Sequence, residues 1–175
     1  LPEDIYAKKT RLPVTVPCCT IEDNPKLDYR GFMLDVARTW ISADRVKRYI
    51  DLMAHLKLNK LHFHLTDDEG WRIEIKSHPE LTEIGGFRGV DSPVAGRYGR
   101  WQEHYGGYYT QEQMREIIEF AAVRNIEIIP EIDLPGHMQS ALHVFPHLGC
   151  TGGPYPVRTT WGVSKEVLCG GNPET

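Results

Sequence analysis

The chain has 175 residues, of which 41% are hydrophobic and 25% charged, a composition that argues against a wholly disordered protein. Its net charge of −4 gives no electrostatic case for nucleic acid or an anionic membrane as a partner, and no apolar run approaches the ~20 residues of a membrane-spanning helix. The length indicates about one domain with a sizeable core. The chain does not start with a signal peptide. Because processing removes such a peptide from a secreted protein, the sequence does not decide the protein's cellular compartment.

Four cysteines are too few for a small fold held together by disulfides, and no two of them form a CxxC pair. The adjacent Cys18 and Cys19 make a poor metal clamp. We expect isolated thiols in or near the core. A bridge between Cys150 and Cys169, across a glycine-rich loop, is the alternative.

The first part of the chain predicts a strand followed by a helix. Residues 1–25 are irregular and rich in proline, and residues 29–36 then read as a short buried strand. Ser42 and Asp44 suit the start of a helix, which we expect to stop at Asn59. Helical spacing predicts that its buried face comprises Val46, Ile50, Met53 and Leu56.

A second strand, a long connection and a second helix follow. In residues 60–66 apolar side chains alternate with histidines, which predicts a strand. The connection after it contains many glycines, Gly96 and Gly99 among them, and loops of such length are usually functional or disordered. Thr110 and Gln113 match a capping box. The predicted buried stripe of that helix is Met114, Ile117, Ile118 and Ala121.

Asn125 ends the second helix, and residues 126–132 predict a third strand. After Asp133 we expect only a turn of helix near residues 137–143. Alternating strands and helices of this kind predict parallel strands with crossover helices. Polar side chains follow each strand, at the end of an α/β sheet that carries the chemistry, namely Arg38, then Asp67, Asp68 and Glu69, then Asp133 and His137.

The segment after the second strand places three carboxylates, Asp67, Asp68 and Glu69, beside an aromatic residue and an arginine. Adjacent carboxylates repel, so at least one of them needs a partner or a raised pKa if it is buried. A solvated acidic turn is the alternative. Trp71 favours a binding site, because an aromatic ring at the mouth of a strand can stack on the apolar face of a sugar.

The histidines His62 and His64 have the spacing of an HxH metal site on a strand, but zinc takes three or four ligands and this pair alone is weak evidence. Histidines with satisfied hydrogen bonds inside a barrel are the favoured interpretation. Further along, a Pro-Gly step turns the chain sharply, so that His137 could be directed back over the sheet. There a histidine bound to a carboxylate can tune a third group that transfers a proton.

Together these motifs resemble the family 20 glycoside hydrolases, the β-N-acetylhexosaminidases. The resemblance runs from about Leu27 to the end of the chain. It depends on ordered motifs at compatible spacing, namely residues 29–38 (YRGFMLDVAR), 59–73 (NKLHFHLTDDEGWRI), 106–110 (GGYYT), 130–137 (PEIDLPGH) and 168–175 (LCGGNPET).

The resemblance implies a (β/α)₈ barrel that removes terminal N-acetylglucosamine or N-acetylgalactosamine from a glycan with retention, and it implies no cofactor. The substrate's own acetamido oxygen attacks the anomeric carbon in this family. Arg38 is expected to grip sugar hydroxyls, and Asp67 and His137 to pair behind the catalytic glutamate. Supporting places near the pocket are expected for His64, Trp71, Glu131 and Asp133. Secreted, periplasmic or lysosomal locations fit the family.

One departure from the family pattern matters most. The catalytic Asp-Glu pair follows the fourth strand in the family, usually after two glycines, and no such Gly-Gly-Asp-Glu stretch occurs here. We therefore expect residues 27–175 to form the first three strands of the barrel and residues 1–26 to be a lead-in from a preceding small domain. This segment alone is expected to be inactive.

Two other functions stay open from the sequence. A metal-dependent hydrolase barrel could use His62 and His64 as ligands, with further ligands from later strands. A non-catalytic barrel could retain sugar recognition through Arg38.

Overall fold

A computed structural model describes residues 17–89, 105–160 and 162–175. Residues 17–26, part of the predicted lead-in, form no helix or strand. The elements in chain order are β1 (Gly31–Asp35), α1 (Ala43–His55), β2 (Lys60–His64), β3 (Thr66–Asp67), β4 (Gly70–Trp71), α2 (Glu80–Glu83), β5 (Phe87–Arg88), β6 (Tyr105–Gly106), α3 (Gln111–Ala122), β7 (Glu127–Glu131), α4 (Gln139–Val144) and a 3₁₀ turn at Pro146–Leu148.

The central sheet has three parallel strands in the order β1-β2-β7. Gly31 pairs with Lys60, and Lys60 pairs in turn with Glu127. The three strands therefore start side by side, and their carboxyl ends lie together along the opposite border of the sheet. The prediction of parallel strands with crossover helices is confirmed. Because the carboxyl ends meet at one edge, the polar residues that follow each strand are brought together.

The larger of two apolar clusters lies between this sheet and the helices α1 and α3. It contains Leu61, Phe63, Ile50 and Ile117, each with no exposed surface. Burying each such side chain contributes about 1.5–3 kcal/mol of transfer free energy. The helical and strand periodicities read from the sequence identify most of this core correctly. The expectation of a buried strand at residues 29–36 was wrong for Phe32 and Met33, which are 36% and 49% exposed, because β1 lies at an edge of the sheet.

The end of α1 differs from the prediction. The helix ends at His55, and Lys57 takes a left-handed backbone with φ of 57°. Leu56 therefore leaves the buried face and is 59% exposed, so its assignment to the core was wrong. Asn59 does not end the helix but clamps the chain before β1: its amide oxygen accepts from the Arg30 N–H at 2.9 Å, and its amide nitrogen donates to the Asp28 carbonyl.

The two helix starts differ in their capping. Ser42 is the N-cap residue of α1, as predicted, but its side chain makes no capping hydrogen bond. Thr110 caps α3 with the complete capping box: its hydroxyl accepts from the Gln113 N–H at 3.1 Å, and the Gln113 side chain accepts from the Thr110 N–H at 3.0 Å. On this helix Ile118 is 48% exposed, so its predicted burial was wrong, whereas the rest of the predicted stripe is buried.

The second strand is shorter than predicted, because the chain turns after His64. Thr66 and Asp67 form β3, which pairs antiparallel with β4 and so directs the acidic segment over the end of the sheet. The long connection is partly structured by α2 and by the β5–β6 pair. Gly96 and Gly99 lie outside the described residues.

The four cysteines are free thiols. Cys18, Cys19 and Cys150 are exposed and Cys169 is half-buried, so the expectation of thiols in or near the core was wrong. Cys150 and Cys169 lie within hydrogen-bonding reach of each other. In the described part of the chain, no helix has the length and apolar character that crossing a bilayer requires.

The capping box of α3 provides a test of local stability. We expect Thr110→Ala to lower the free energy of unfolding by about 1 kcal/mol, because the Gln113 N–H loses its acceptor. Urea unfolding followed by circular dichroism measures the change. Thr110→Ser keeps the hydroxyl and should stay close to wild type, and an equal loss in both variants would contradict the role of the cap.

Candidate functional site

Arg38, Asp67 and His137 meet at the carboxyl edge of the sheet, as the sequence predicted. Each comes from a different segment: Arg38 follows β1, Asp67 lies in β3 and His137 follows β7. Asp67 is the centre of the group and has no exposed surface.

The Asp67 carboxylate accepts from three side chains. Its Oδ2 lies 2.6 Å from Nη2 of Arg38 and 2.8 Å from Nε2 of His64, and its Oδ1 lies 3.0 Å from Nδ1 of His137. Its Oδ1 also accepts from the Asp68 N–H at 2.7 Å. Burial by itself raises the pKa of Asp67, but these donors and the Arg38 charge outweigh it, so the pKa lies below the usual value and the group is ionised.

Arg38 is held by two carboxylates and keeps part of its side chain open. Nη1 donates to Oδ2 of Asp35 at 2.6 Å, and the side chain remains 27% exposed. The other oxygen of Asp35 accepts from the N–H groups of Ala37 and Arg38, which shapes the turn after β1. The guanidinium is thus fixed in orientation yet still accessible to a ligand.

His137 reaches Asp67 because of its backbone. It follows Gly136 in a tight turn and takes a left-handed conformation with φ of 57°, which is uncommon for a residue with a side chain. The prediction that this turn directs His137 back over the sheet is confirmed by the contact with Asp67. Because Nδ1 faces the carboxylate, Nε2 is the nitrogen that can face a second group.

The remaining predicted histidines form a chain with Glu131. One oxygen of Glu131, Oε2, lies 2.6 Å from Nε2 of His62 and 2.7 Å from Nδ1 of His64. Burial lowers the pKa of His64, but its hydrogen bonds to Asp67 and Glu131 outweigh burial and raise the pKa to about 9. A carboxylate thus occupies the space between the two histidines, an arrangement that gives no support to the pair as metal ligands.

Two other predicted site residues lie at the edge of this cluster. Asp133 is half-buried, and its backbone N–H donates to the hydroxyl of Thr66 at 3.3 Å. Trp71 is only 6% exposed, packs with Leu81 and Met138, and donates from its indole to the Ile73 carbonyl. The expectation of an open stacking surface at Trp71 was wrong, because β4 faces a second apolar cluster.

The sequence reasoning missed the two arginines that hold the site's backbone. Arg72 has no exposed surface and donates to the carbonyls of Val36, Ala37, Gly86, Gly107 and Glu69. Arg88 donates to the carbonyl of Arg38 at 2.8 Å and to that of Glu69 at 3.3 Å. Burial lowers the pKa of Arg72 to about 10. The available signal was an arginine between the apolar Trp71 and Ile73, since a charge in an apolar run needs several partners.

Glu69 and Asp68 are buried acids with different surroundings. Asp68 accepts from the Gln139 N–H at 3.1 Å and so holds the start of α4. Glu69 is 1% exposed, and its carboxyl has no donor within hydrogen-bonding distance among the described residues, Nε of Arg38 being 3.8 Å away. Burial, together with the nearby Asp67 charge, raises the pKa of Glu69 to about 7. Glu69 therefore takes up a proton near neutral pH, well above the pH at which an exposed glutamate does so.

The shifted titration of His64 predicts a pH-dependent stability. The folded-state pKa of about 9 exceeds the ordinary value of 6.5, so protonated His64 stabilises the fold fully below pH 6.5, and this contribution is lost as pH rises through about 9. Urea unfolding measures the difference in free energy of unfolding between wild type and His64→Gln. We expect this difference to be larger at pH 6 than at pH 9.5, by on the order of 1–3 kcal/mol. A difference between the two proteins that does not change with pH would contradict this.

Substitution of Arg72 should strongly destabilise the fold. We expect Arg72→Met to lower the free energy of unfolding by on the order of 3–5 kcal/mol, because several buried carbonyl oxygens lose their donor. The exposed Arg115, which contacts only Glu112 through its guanidinium among the described contacts, gives the matched control. Arg115→Met should change the free energy by less than about 0.5 kcal/mol. Similar losses in both variants would contradict the role of Arg72.

Comparisons with known proteins agree on one family. The sequence profile of the glycosyl hydrolase family 20 catalytic domain matches residues 27–175. A β-hexosaminidase of Porphyromonas gingivalis is 44% identical over 172 residues, 98% of this chain and 21% of that protein, and one of Vibrio furnissii is 54% identical over 131 residues, 75% of this chain and 21% of that protein. The solved GH20 exo-β-N-acetylglucosaminidase of Vibrio harveyi in complex with N-acetylglucosamine aligns with a TM-score of 0.70 at 56% identity, over 75% of this chain and 21% of that one.

The chain thus spans about a fifth of the length of these relatives. The profile match covers most of the chain, and the motifs around Arg38, Asp67 and His137 all lie inside the matched range. The chain therefore belongs to glycosyl hydrolase family 20, a family of glycoside hydrolases.

Proposed function

We propose that the protein containing this chain is a β-N-acetylhexosaminidase that removes terminal N-acetylglucosamine or N-acetylgalactosamine with retention. The proposal depends on one observation. At the carboxyl edge of the sheet, Asp67 is hydrogen-bonded to both Arg38 and His137. The β-hexosaminidase relatives and the Vibrio harveyi enzyme in complex with N-acetylglucosamine support it. The substrate is accordingly a glycan that ends in an N-acetylhexosamine.

The proposal includes a place for this chain in a barrel. Residues 27–175 supply the first three strands of a (β/α)₈ barrel, and residues 1–26 lead in from a preceding domain. In support, β1 and β7 each pair with only one strand among the described residues, which leaves the far edge of each open. Apolar side chains near these edges, Met33 at 49% and Ile132 at 42%, are exposed and suit contact with the rest of the barrel.

Arg38 is proposed to bind the sugar. Its guanidinium is fixed by Asp35 and Asp67 on one side, and the exposed part offers further N–H donors to hydroxyl groups. Since the orientation is fixed before the sugar binds, little side-chain entropy is lost on binding. A rigid donor of this kind suits recognition of a particular hydroxyl arrangement.

Asp67 acts through His137, because a carboxylate with no exposed surface cannot itself touch the sugar. It holds the His137 ring by Nδ1 and leaves Nε2 for the catalytic glutamate. That glutamate protonates the leaving oxygen while the acetamido oxygen attacks the anomeric carbon, and the aspartate before it orients the acetamido group. We place both acids outside residues 1–175. Glu131, Asp133 and His64 support the pocket from behind.

Substitution of Arg38 tests the binding role. We expect Arg38→Met in the complete protein to lower kcat/KM for 4-nitrophenyl N-acetyl-β-glucosaminide by about 100-fold, or about 2.7 kcal/mol. Release of 4-nitrophenol measures the rate. The exposed Arg115→Met should retain wild-type values. A wild-type protein without activity would refute the proposed function, whereas an active Arg38→Met variant would refute only the role of Arg38.

The placement of the acids predicts that residues 1–175 alone release no 4-nitrophenol above the buffer rate. The complete protein should be active under the same conditions, and mixing the isolated chain with substrate at high concentration should change nothing. Turnover by the purified isolated chain would overturn the proposal that the proton donor lies elsewhere.

A further inference from the structure

We propose that His64 is a positioning residue: a buried imidazolium, held between Glu131 and Asp67, that helps to keep Asp67 ionised and orients its Oδ1 toward His137. The state of the His64 ring is a property of the chain itself. Its effect on turnover rests on the proposed function.

The hydrogen-bonding geometry of the ring carries the inference. Nδ1 lies 2.7 Å from Oε2 of Glu131, and Nε2 lies 2.8 Å from Oδ2 of Asp67. A neutral imidazole has one N–H, whereas an imidazolium has two, and ionised carboxylates only accept. Two carboxylates at the two nitrogens therefore require the charged ring, unless a carboxylate itself takes the proton.

The neighbouring charges decide where that proton lies. Asp67 also faces the fixed cation Arg38, which favours its ionised form. Glu131 accepts from both His62 and His64, and the pKa of its carboxyl is lowered. Each of the two carboxylates thus has, in addition to His64, a second donor that favours its ionised form: Arg38 for Asp67 and His62 for Glu131. With both carboxylates ionised, the proton resides on His64.

Charged and titratable groups from the neighbouring segments lie around the His64 ring and its two carboxylate partners. β1 contributes Asp35, whose negative charge raises the pKa of His64 further, and β2 itself contributes His62. The segment around β3 adds Asp68 and Glu69 near Asp67, both with raised pKa values. Arg38 and His137 contact Asp67 rather than His64. The balance around the ring is acidic, which favours the charged form.

The consequence lies in how Asp67 is oriented. His64 and Arg38 both donate to Oδ2, whereas Oδ1 faces His137 and the Asp68 N–H. His64 is only 3% exposed and lies on the central strand, so it is a buried support, whereas the partly exposed Arg38 is also proposed to contact the ligand. Loss of His64 should therefore disturb the Asp67–His137 pair more than the sugar contact of Arg38.

The charge of the ring can be read without any activity. In the complete protein labelled with ring-¹⁵N histidine, the NMR signals that disappear in His64→Gln belong to His64. At pH 7.5 we expect both of its nitrogens to be protonated. One protonated and one bare nitrogen at that pH would overturn the proposal.

A second variant covers the case in which His64→Gln does not fold. Glu131→Gln keeps the size of the side chain but removes one of the two carboxylates that face His64. The His64 signals should then lose a proton at a lower pH than in wild type. An unchanged titration would show that the imidazolium does not depend on this pair and would overturn the proposal.

Kinetics of the complete protein test the positioning role. We expect His64→Gln to lower kcat at least 10-fold with KM within twofold of wild type, and to change the alkaline limb of the pH profile. The exposed His147→Gln is the matched control and should behave as wild type. Wild-type kcat and pH profile in a folded His64→Gln variant would refute the positioning role. A wild type without activity would refute the proposed function, while the NMR result on His64 would stand.

Discussion

The site depends on one buried carboxylate, that of Asp67. A carboxylate without exposed surface is stable only if its oxygens accept hydrogen bonds and a nearby positive charge balances its own. Arg38, His64 and His137 meet both needs, and they come from three different parts of the chain. The requirement to satisfy Asp67 therefore also fixes the mutual positions of the three polar side chains.

A second set of buried charges supports the backbone around this carboxylate. The Arg72 guanidinium joins the carbonyls of the turn after β1 to that of Glu69 in the acidic turn, and Arg88 joins Arg38 and Glu69 by their carbonyls. These are loops, whose carbonyl groups have no partners from regular secondary structure. The two arginines donate hydrogen bonds to these carbonyl groups and so fix the loops in place beside the sheet. Arg38 is held at its side chain by acids and at its carbonyl by Arg88.

Local sequence signals predicted the elements well where one local interaction dominates. The capping box at Thr110 and the alternation along β2 depend on residues near one another in sequence, and both were predicted correctly. The predictions failed where tertiary contacts decide. Leu56 continued the apolar spacing of α1, but the left-handed turn at Lys57 moved it to the surface. Trp71 looked available to a ligand until β4 was seen to pack against Leu81 and Met138.

Sequence patterns were enough to predict the parallel α/β order, the family resemblance, and the grouping of Arg38, Asp67 and His137 at one edge of the sheet. That was possible because strand ends and motif spacing are local properties. Which atoms of these side chains form hydrogen bonds depends instead on the packing of the folded chain. The contacts of His62 and His64 with Glu131 join residues distant along the chain, and so does the contact of Arg72 with the Val36 carbonyl. Such contacts depend on how the strands align and the loops fold back, which no local pattern encodes.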